Sequence, residues 1–293
     1  MLGLSALFVL IWSTGFIVGR AIVDVASPNL FLTARFLLAA LLFGLLALQA
    51  KAKWPSKQEI PRLLGVGALL NGLYLAGGYW AVSKGLSPAI MALLGALQPL
   101  FTTLLAIFVL NEKPARLFWL GLLAGIAGVV LVLLPALNVA THHFSIWVVA
   151  VGMIAVLSLT VGTVLQKTRI AQLDLRVSSA IQNLGGAMFT GVVAVWLNES
   201  RWEQGTLLYG ALAWAALVLS GAGTGLLLWL VRKGKVAQVA TLMYLAPPLA
   251  AIEAYYWFDA RLTAIQLVGF AFAALGVWVC HLSESRKHGK AGG

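Results

Sequence analysis

Charge is what this chain has least of. Only 10% of its 293 residues are Asp, Glu, Lys or Arg, and just nine are acids. Water-soluble domains carry roughly a quarter of their residues as charged side chains, so a soluble globular domain is excluded. Its outer helices would need polar faces, and these are missing. The single cysteine, Cys280, excludes an intramolecular disulfide and a Cys-rich metal site, and in the last apolar stretch it reads as core packing. The four histidines lie in loops or near the C-terminus, so no Asp/Glu/His chain exists for an intramembrane relay. His142 and His143 are adjacent but have no acid or Cys cluster beside them, so neither a metal, a cofactor nor an enzyme's active site is expected. The first apolar stretch, 2–19, lacks a basic segment before it and a small-residue cleavage pattern after it. With Trp12 and Ser13 at its middle, it reads as a transmembrane helix rather than a signal peptide.

What is present is apolar. Hydrophobic residues make up 61% of the chain, and the mean hydropathy is +0.95. Stretches of membrane-spanning length, bounded by charged or Pro/Gly breaks, fall at 2–19, 29–50, 61–83, 87–110, 115–134, 145–165, 177–197, 207–231, 235–257 and 263–282. The expected fold is therefore an all-α integral membrane protein of ten helices with short connections. The net charge of +11 sits in those connections, where membrane orientation explains it and nucleic acid is not needed. Fifteen of the 20 Lys and Arg fall on the side of the N-terminus, from Lys51, Lys53 and Lys57 to Arg286, Lys287 and Lys290. Only Arg20, Lys84, Arg201 and Arg261 fall on the other side, and Arg35 lies within a span. Both termini are thus expected in the cytoplasm.

An internal repeat divides the chain. Trp80-Ala81-Val82-Ser83-Lys84-Gly85 returns as Trp229-Leu230-Val231-Arg232-Lys233-Gly234, offset by 149. Pro99 and Gly121 are 22 apart, as are Pro247 and Gly269, and Gly121, Gly125 and Gly128 answer to Gly269, Ala273 and Gly276. The halves are 1–136 and 137–282, followed by a basic cytoplasmic tail, 283–293. Five spans per half put the second half in the opposite orientation, with Lys84 outside and Lys233 inside. Inverted halves are the architecture of carriers that expose a midplane site to each side in turn.

The chain resembles the drug/metabolite transporter superfamily of the ten-helix EamA type over essentially its whole length. The resemblance rests on Ile11-Trp12-Ser13-Thr14-Gly15-Phe16, on Ser27-Pro28 followed by Arg35-Phe36, on Ala96-Leu97-Gln98-Pro99-Leu100, on Asn111-Glu112, and on the paired glycine patterns. Within the superfamily it is most similar to the YddG-type aromatic amino-acid exporters of bacteria. That resemblance implies export of hydrophobic and aromatic amino acids from the cytoplasm. One feature departs from the repeat: with Pro99 set on Pro247, Glu112 meets Ala260, and Asp259 falls one position early.

Several residues stand out as candidates. Arg35 lies about 9 Å inside its span. An Arg there costs about 2.5–3.5 kcal/mol at mid-bilayer, less with snorkelling, so something must offset it. It either attracts a substrate carboxylate or bonds to neighbouring helices and fixes an outer gate; its counterpart at offset 148 is Asn183. Glu253, the clear acid within a span, either carries a coupling proton or pairs with a cation. Pro99, Pro247 and Pro248 free backbone carbonyls inside the bilayer, which points to hinges beside a midplane site, ordinary static kinks being the alternative. Trp12, Asn71, Tyr74, Gln98, Ser158, Ser220, Thr224 and Tyr244 are expected to line the cavity, with Asn71, Tyr74 and Gly78 on one helix face. The alternative for each is a helix-bridging hydrogen bond of about 0.6 kcal/mol. Tyr79 and Trp80 read as interfacial anchors or as part of an outer vestibule. Gly121, Gly125, Gly128, Gly269 and Gly276 read as packing positions where helix backbones approach.

A channel would need a selectivity ring, which an inverted tandem repeat does not supply. The expected protein is thus a secondary carrier in the lipid bilayer with no cofactor and no nucleic acid. The resemblance implies a monomer in a bacterial inner membrane with an amino acid as its small-molecule partner, multidrug or other metabolite efflux being the alternative.

Overall fold

The computed structural model of the chain describes residues 2–98, 100–102, 104–105, 116–134, 145–166, 173–223, 226, 246–259 and 261–291. Among them the regular structure is helical, apart from one isolated antiparallel bridge. The helices are α1 (Leu2–Ala21), α2 (Pro28–Gln49), α3 (Ile60–Ser83), α4 (Pro88–Ala96), α5 (Arg116–Leu133), α6 (Ile146–Gln166), α7 (Leu175–Trp196), α8 (Thr206–Gly223), α9 (Ala246–Phe258) and α10 (Ala264–Ala291). Four of these, α2, α3, α6 and α8, are both long and apolar enough by themselves to cross a membrane. Helix α10 runs on through the basic segment from 283, which the sequence marks off as a tail.

Local chemistry sets the helix ends. Pro28 and Pro88 open α2 and α4 behind extended Ser27 and Ser87, where a missing N–H costs nothing. Gly85 closes α3 at φ 96°, a conformation glycine adopts without strain. Leu86 N then donates to Ala81 O at 3.0 Å and Gly85 N to Val82 O at 3.0 Å, satisfying two terminal carbonyls. Helices α2 and α7 close in the same way on non-glycine residues, Lys51 at φ 49° and Asn198 at φ 52°. At the start of α7, Asp174 accepts from Arg176 N at 2.9 Å and from the Arg176 guanidinium at 2.9 and 3.2 Å. Those Arg176 side-chain bonds hold the Asp174 carboxyl below its ordinary value.

Two helices are not α-helical all along. Ala68–Leu73 of α3 and Trp214–Gly223 of α8 are π-helical. Shifted by the repeat offset of 148, the first segment falls at 216–221, inside the second.

The most extensive pairings are α5 with α10 and α2 with α7. Helix α3 packs on α6 and α7, α4 on α9 and α6, α1 on α8 and α9, and α2 on α8. The α5–α10 pair is close because it meets through glycine. A Cβ on Gly269 would stand 2.7 Å from Gly128 O, one on Gly128 would strike Ala273 N, and one on Gly276 would strike Gly125 N and Gly121 O. The main buried core lies among α1, α2, α3, α4 and α6, with Phe31, Leu32, Ala81, Met91, Leu94 and Ala155 fully enclosed.

Two outcomes follow from these contacts. Gly276→Leu should lower the melting temperature of the detergent-solubilised protein by the equivalent of about 1–3 kcal/mol or more, because backbone on α5 cannot yield. Gly65→Leu, whose site has open space around it, should leave it nearly unchanged. The Asp174 carboxylate contributes stability that is present above its unfolded value and is lost as pH falls through its lowered folded one. Asp174→Asn should therefore melt below wild type at neutral pH, and the gap should close as the solution is acidified past the ordinary carboxyl range near 3.8.

Candidate functional site

Polar side chains inside the bundle converge on α1. Arg35, only 7% exposed on α2, donates from Nε to Ser220 Oγ of α8 at 3.2 Å and from Nη1 to the Tyr79 hydroxyl of α3 at 3.4 Å. Tyr79 in turn donates to Gly15 O of α1 at 2.8 Å. The guanidinium also lies 5.6 Å from the Phe36 ring centroid, where the ring's negative face attracts it. None of the ion pairs among the described residues includes Arg35. A charge is thus held by neutral oxygens and a π face alone, with guanidinium N–H groups to spare.

The other faces of α1 are tied as well. Thr14 Oγ1 accepts from Trp214 Nε1 of α8 at 3.0 Å. Ser13 Oγ stands 2.7 Å from Glu253 Oε1 of α9, while Glu253 Oε2 is buried with no partner among the described residues. Residues 13, 14 and 15 step by about 100° each around a helix, so three consecutive positions reach α9, α8 and α3.

The aromatic residues divide differently from the sequence expectation. Tyr79 is not an interfacial anchor: it is 1% exposed, stacked on Phe31 at 6.3 Å and tilted against Phe16 at 6.3 Å. Its hydroxyl is drawn in because both Arg35 and Gly15 O need it. Trp80 packs against the core, partly buried. Trp12 is 39% exposed and tilted over Phe8 at 5.5 Å. Tyr74 meets Phe16 edge-on at 6.0 Å.

Asn71 does not share the face of Tyr74 and Gly78. Gly78 faces Phe16 and Met91, whereas the Asn71 Cβ lies against Gly186 of α7. The π-helical turn between them takes more residues per turn and rotates everything after it, so three- and four-residue spacing no longer marks one face. Ser158 of α6 donates to its own Ala155 O at 2.7 Å and approaches Leu69 O at 3.2 Å, inside that π segment. Gln98 donates to Thr163 Oγ1 of α6 at 2.9 Å. Asn183 bonds its own helix at Ser179 O, 2.8 Å away. Pro247 is buried in α9, and Pro248 is helical beside it. Pro99, Thr224 and Tyr244 lie outside the described residues. Of the glycines, Gly125, Gly128, Gly269 and Gly276 stand in the α5–α10 contact, with Gly121 contributing its carbonyl there.

Sequence reasoning missed Glu199. It follows α7, where its N–H donates to Ala194 O at 2.9 Å and closes that helix. Its carboxylate accepts from Asn29 N at 2.8 Å, Leu30 N at 3.1 Å and Asn29 Nδ2 at 2.6 Å, capping α2. Anionic oxygen at a helix N-terminus is favoured by the unpaired N–H groups and the dipole. Beside it, Ala26 bridges Trp202, and Ser27 N donates to Arg201 O at 2.9 Å. The two loops are sewn together. Nothing local marks Asn198-Glu199-Ser200 as a cap for a helix 170 positions away.

Comparison with known proteins follows the same division of the chain. The EamA-like transporter family model matches twice, over residues 1–134 and 146–281. The chain belongs to the EamA-like transporter family. This EamA-like chain is 25% identical to an uncharacterized transporter of Synechocystis sp., over 94% of the chain and 88% of that protein. It is 25% identical to a probable amino-acid metabolite efflux pump of Salmonella typhimurium, over 94% and 93%, and 23% identical to a WAT1-related chloroplastic protein of Arabidopsis thaliana, over 93% and 67%. A solved crystal structure shares the fold, with a TM-score of 0.66 and 19% identity over 96% of each chain. The EamA-like chain is a multi-pass membrane protein and a small-molecule transporter rather than an enzyme. Among the described residues no cluster of His, Cys, Asp or Glu could hold a metal ion.

Tyr79→Phe removes the oxygen shared by Arg35 and Gly15 while keeping the ring. It should destabilise this transporter by about 1–3 kcal/mol, read as a fall in melting temperature. Ser83→Ala, which loses only a bond to Trp80 O of its own helix, should shift it less.

Proposed function

We propose that the protein is a ten-span secondary carrier of two inverted five-helix halves, 1–136 and 137–282. It exports small metabolites, aromatic and hydrophobic amino acids foremost, by alternating access. The observation that carries this reading is the set of principal helix pairs between the halves, which survives their exchange. The pairs α2–α7, α4–α9 and α5–α10 map onto themselves, α3–α6 onto α1–α8, α3–α7 onto α2–α8, and α1–α9 onto α4–α6. Two equivalent halves are what a rocking carrier needs, since exchanging their conformations turns an inward-open site outward. The double match of the family model along the chain and the equivalent π segments support the same reading. The Salmonella relative's description as a probable amino-acid metabolite efflux pump supports the substrate class.

In this reading the substrate enters from the cytoplasm, and Trp12, Asn71, Tyr74, Gln98, Ser158, Ser220, Thr224 and Tyr244 contribute the walls. Arg35, with spare N–H groups and no carboxylate partner among the described residues, orders the outer gate with Tyr79, Trp80 and Glu253. Pro99, Pro247 and Pro248 serve as hinges. The chain works as a monomer in a bacterial inner membrane, with both termini and the basic residues from 283 to 293 in the cytoplasm.

Purified protein in proteoliposomes should show saturable counterflow of labelled phenylalanine, threonine or methionine. Absence of flux for all three, with uptake of cationic drugs instead, would replace the amino-acid assignment by drug efflux and keep the carrier.

A further inference from the structure

Glu253 is the one carboxylate whose buried oxygen has no partner among the described residues. Its other oxygen, Oε1, stands 2.7 Å from Ser13 Oγ, and that same hydroxyl stands 2.9 Å from Leu10 O. A serine hydroxyl has one proton to donate. If Glu253 is ionised, Ser13 serves either the carboxylate or Leu10 O, one short O···O contact has no hydrogen in it, and a charged oxygen is buried bare. If Glu253 carries a proton on Oε1, it donates to Ser13 Oγ, and Ser13 donates to Leu10 O. Both short contacts are then hydrogen bonds, and the bare Oε2 is the carbonyl of a neutral acid, far cheaper to bury than half a carboxylate.

Among the described residues the surroundings offer no counter-charge. Helix α9 packs on α1 and α4. The residues Pro88–Ala96 of α4 include no titratable side chain. Helix α1 contributes Arg20, whose guanidinium lies 5.4 Å from the Phe258 ring centroid. Helix α9 itself carries Tyr255 and Tyr256, exposed and edge-on to each other at 5.6 Å, and Asp259, which pairs with Arg261 at 3.2 Å. None of these groups is bonded to Glu253.

We propose that Glu253, presented to Ser13, is a proton-binding site within the membrane, and that substrate export is exchanged for this proton. The coupling rests on the carrier reading above; the site itself does not. Binding forms one O–H bond on Glu253 with a proton taken from water on one side. Release when the halves rock breaks that bond and returns the proton to water on the other, with no change of oxidation state.

Infrared spectra of the full-length protein in lipid test the site directly. The carbonyl stretch of a protonated carboxylic acid should be present in the wild type and absent in Glu253→Gln. If the substitution instead removes only carboxylate bands, Glu253 is ionised, as it would be around a bound cation, and the proton site is overturned. Coupling is read in proteoliposomes with labelled phenylalanine, as the ratio of flux with an imposed pH gradient to flux without one. The ratio should exceed one in the wild type, fall to one in Glu253→Gln, and rise again in Glu253→Asp, which keeps a titratable acid. A Gln variant that keeps the wild-type ratio removes the coupling. No phenylalanine flux in the wild type sinks the substrate reading alone, and the acid band still upholds or removes the proton site.

Discussion

A guanidinium buried in a bundle that faces lipid has to find acceptors, and the helices around Arg35 are placed where they supply them. Ser220 comes from α8, Tyr79 from α3, and behind Tyr79 stands a backbone carbonyl of α1. Each link is a neutral oxygen, so the charge is spread over a chain rather than cancelled by a partner. Pulling one member away would leave the guanidinium an acceptor short in a low-dielectric interior, a cost of about 1–3 kcal/mol. That requirement ties helices of both halves to α1.

Around this centre, the packing depends on how closely backbones approach. Helices α5 and α10 meet through glycines with no room for a Cβ, which makes a pair of large contact area and little freedom. Helices α3 and α8 are interrupted by π-helical turns, which loosen the regular hydrogen-bond ladder. At one end the Glu199 carboxylate joins the start of α2 to the end of α7, so these antiparallel neighbours share a cap.

The halves repeat in pairing but not in chemistry. Arg35 answers to Asn183, and Ser220 to Gly72. Asn183 turns back to its own helix, while Arg35 reaches two others. The two matched halves therefore hold an asymmetric set of polar groups.

The sequence alone determined the class of environment, the positions of the apolar stretches, the repeat, and the two anomalies, Arg35 and Glu253. These are properties of composition and local period: α2, α6 and α7 begin and end within two residues of the stretches read from hydropathy, because proline, glycine and charge act where they stand. The tertiary structure alone decided who meets whom. Ser13 and Glu253 are 240 positions apart, Glu199 and Asn29 are 170 apart, and neither pair leaves a trace in spacing. It also decided which way Asn71 points, since a π-helical turn breaks the period from which a shared face is inferred. Tyr79 looked like a surface anchor because aromatic residues near span ends usually are; its burial follows from an arginine 44 positions away that needed its hydroxyl. Period and composition are local, whereas the satisfaction of a buried polar group is a matter of what the fold brings within three ångströms of it.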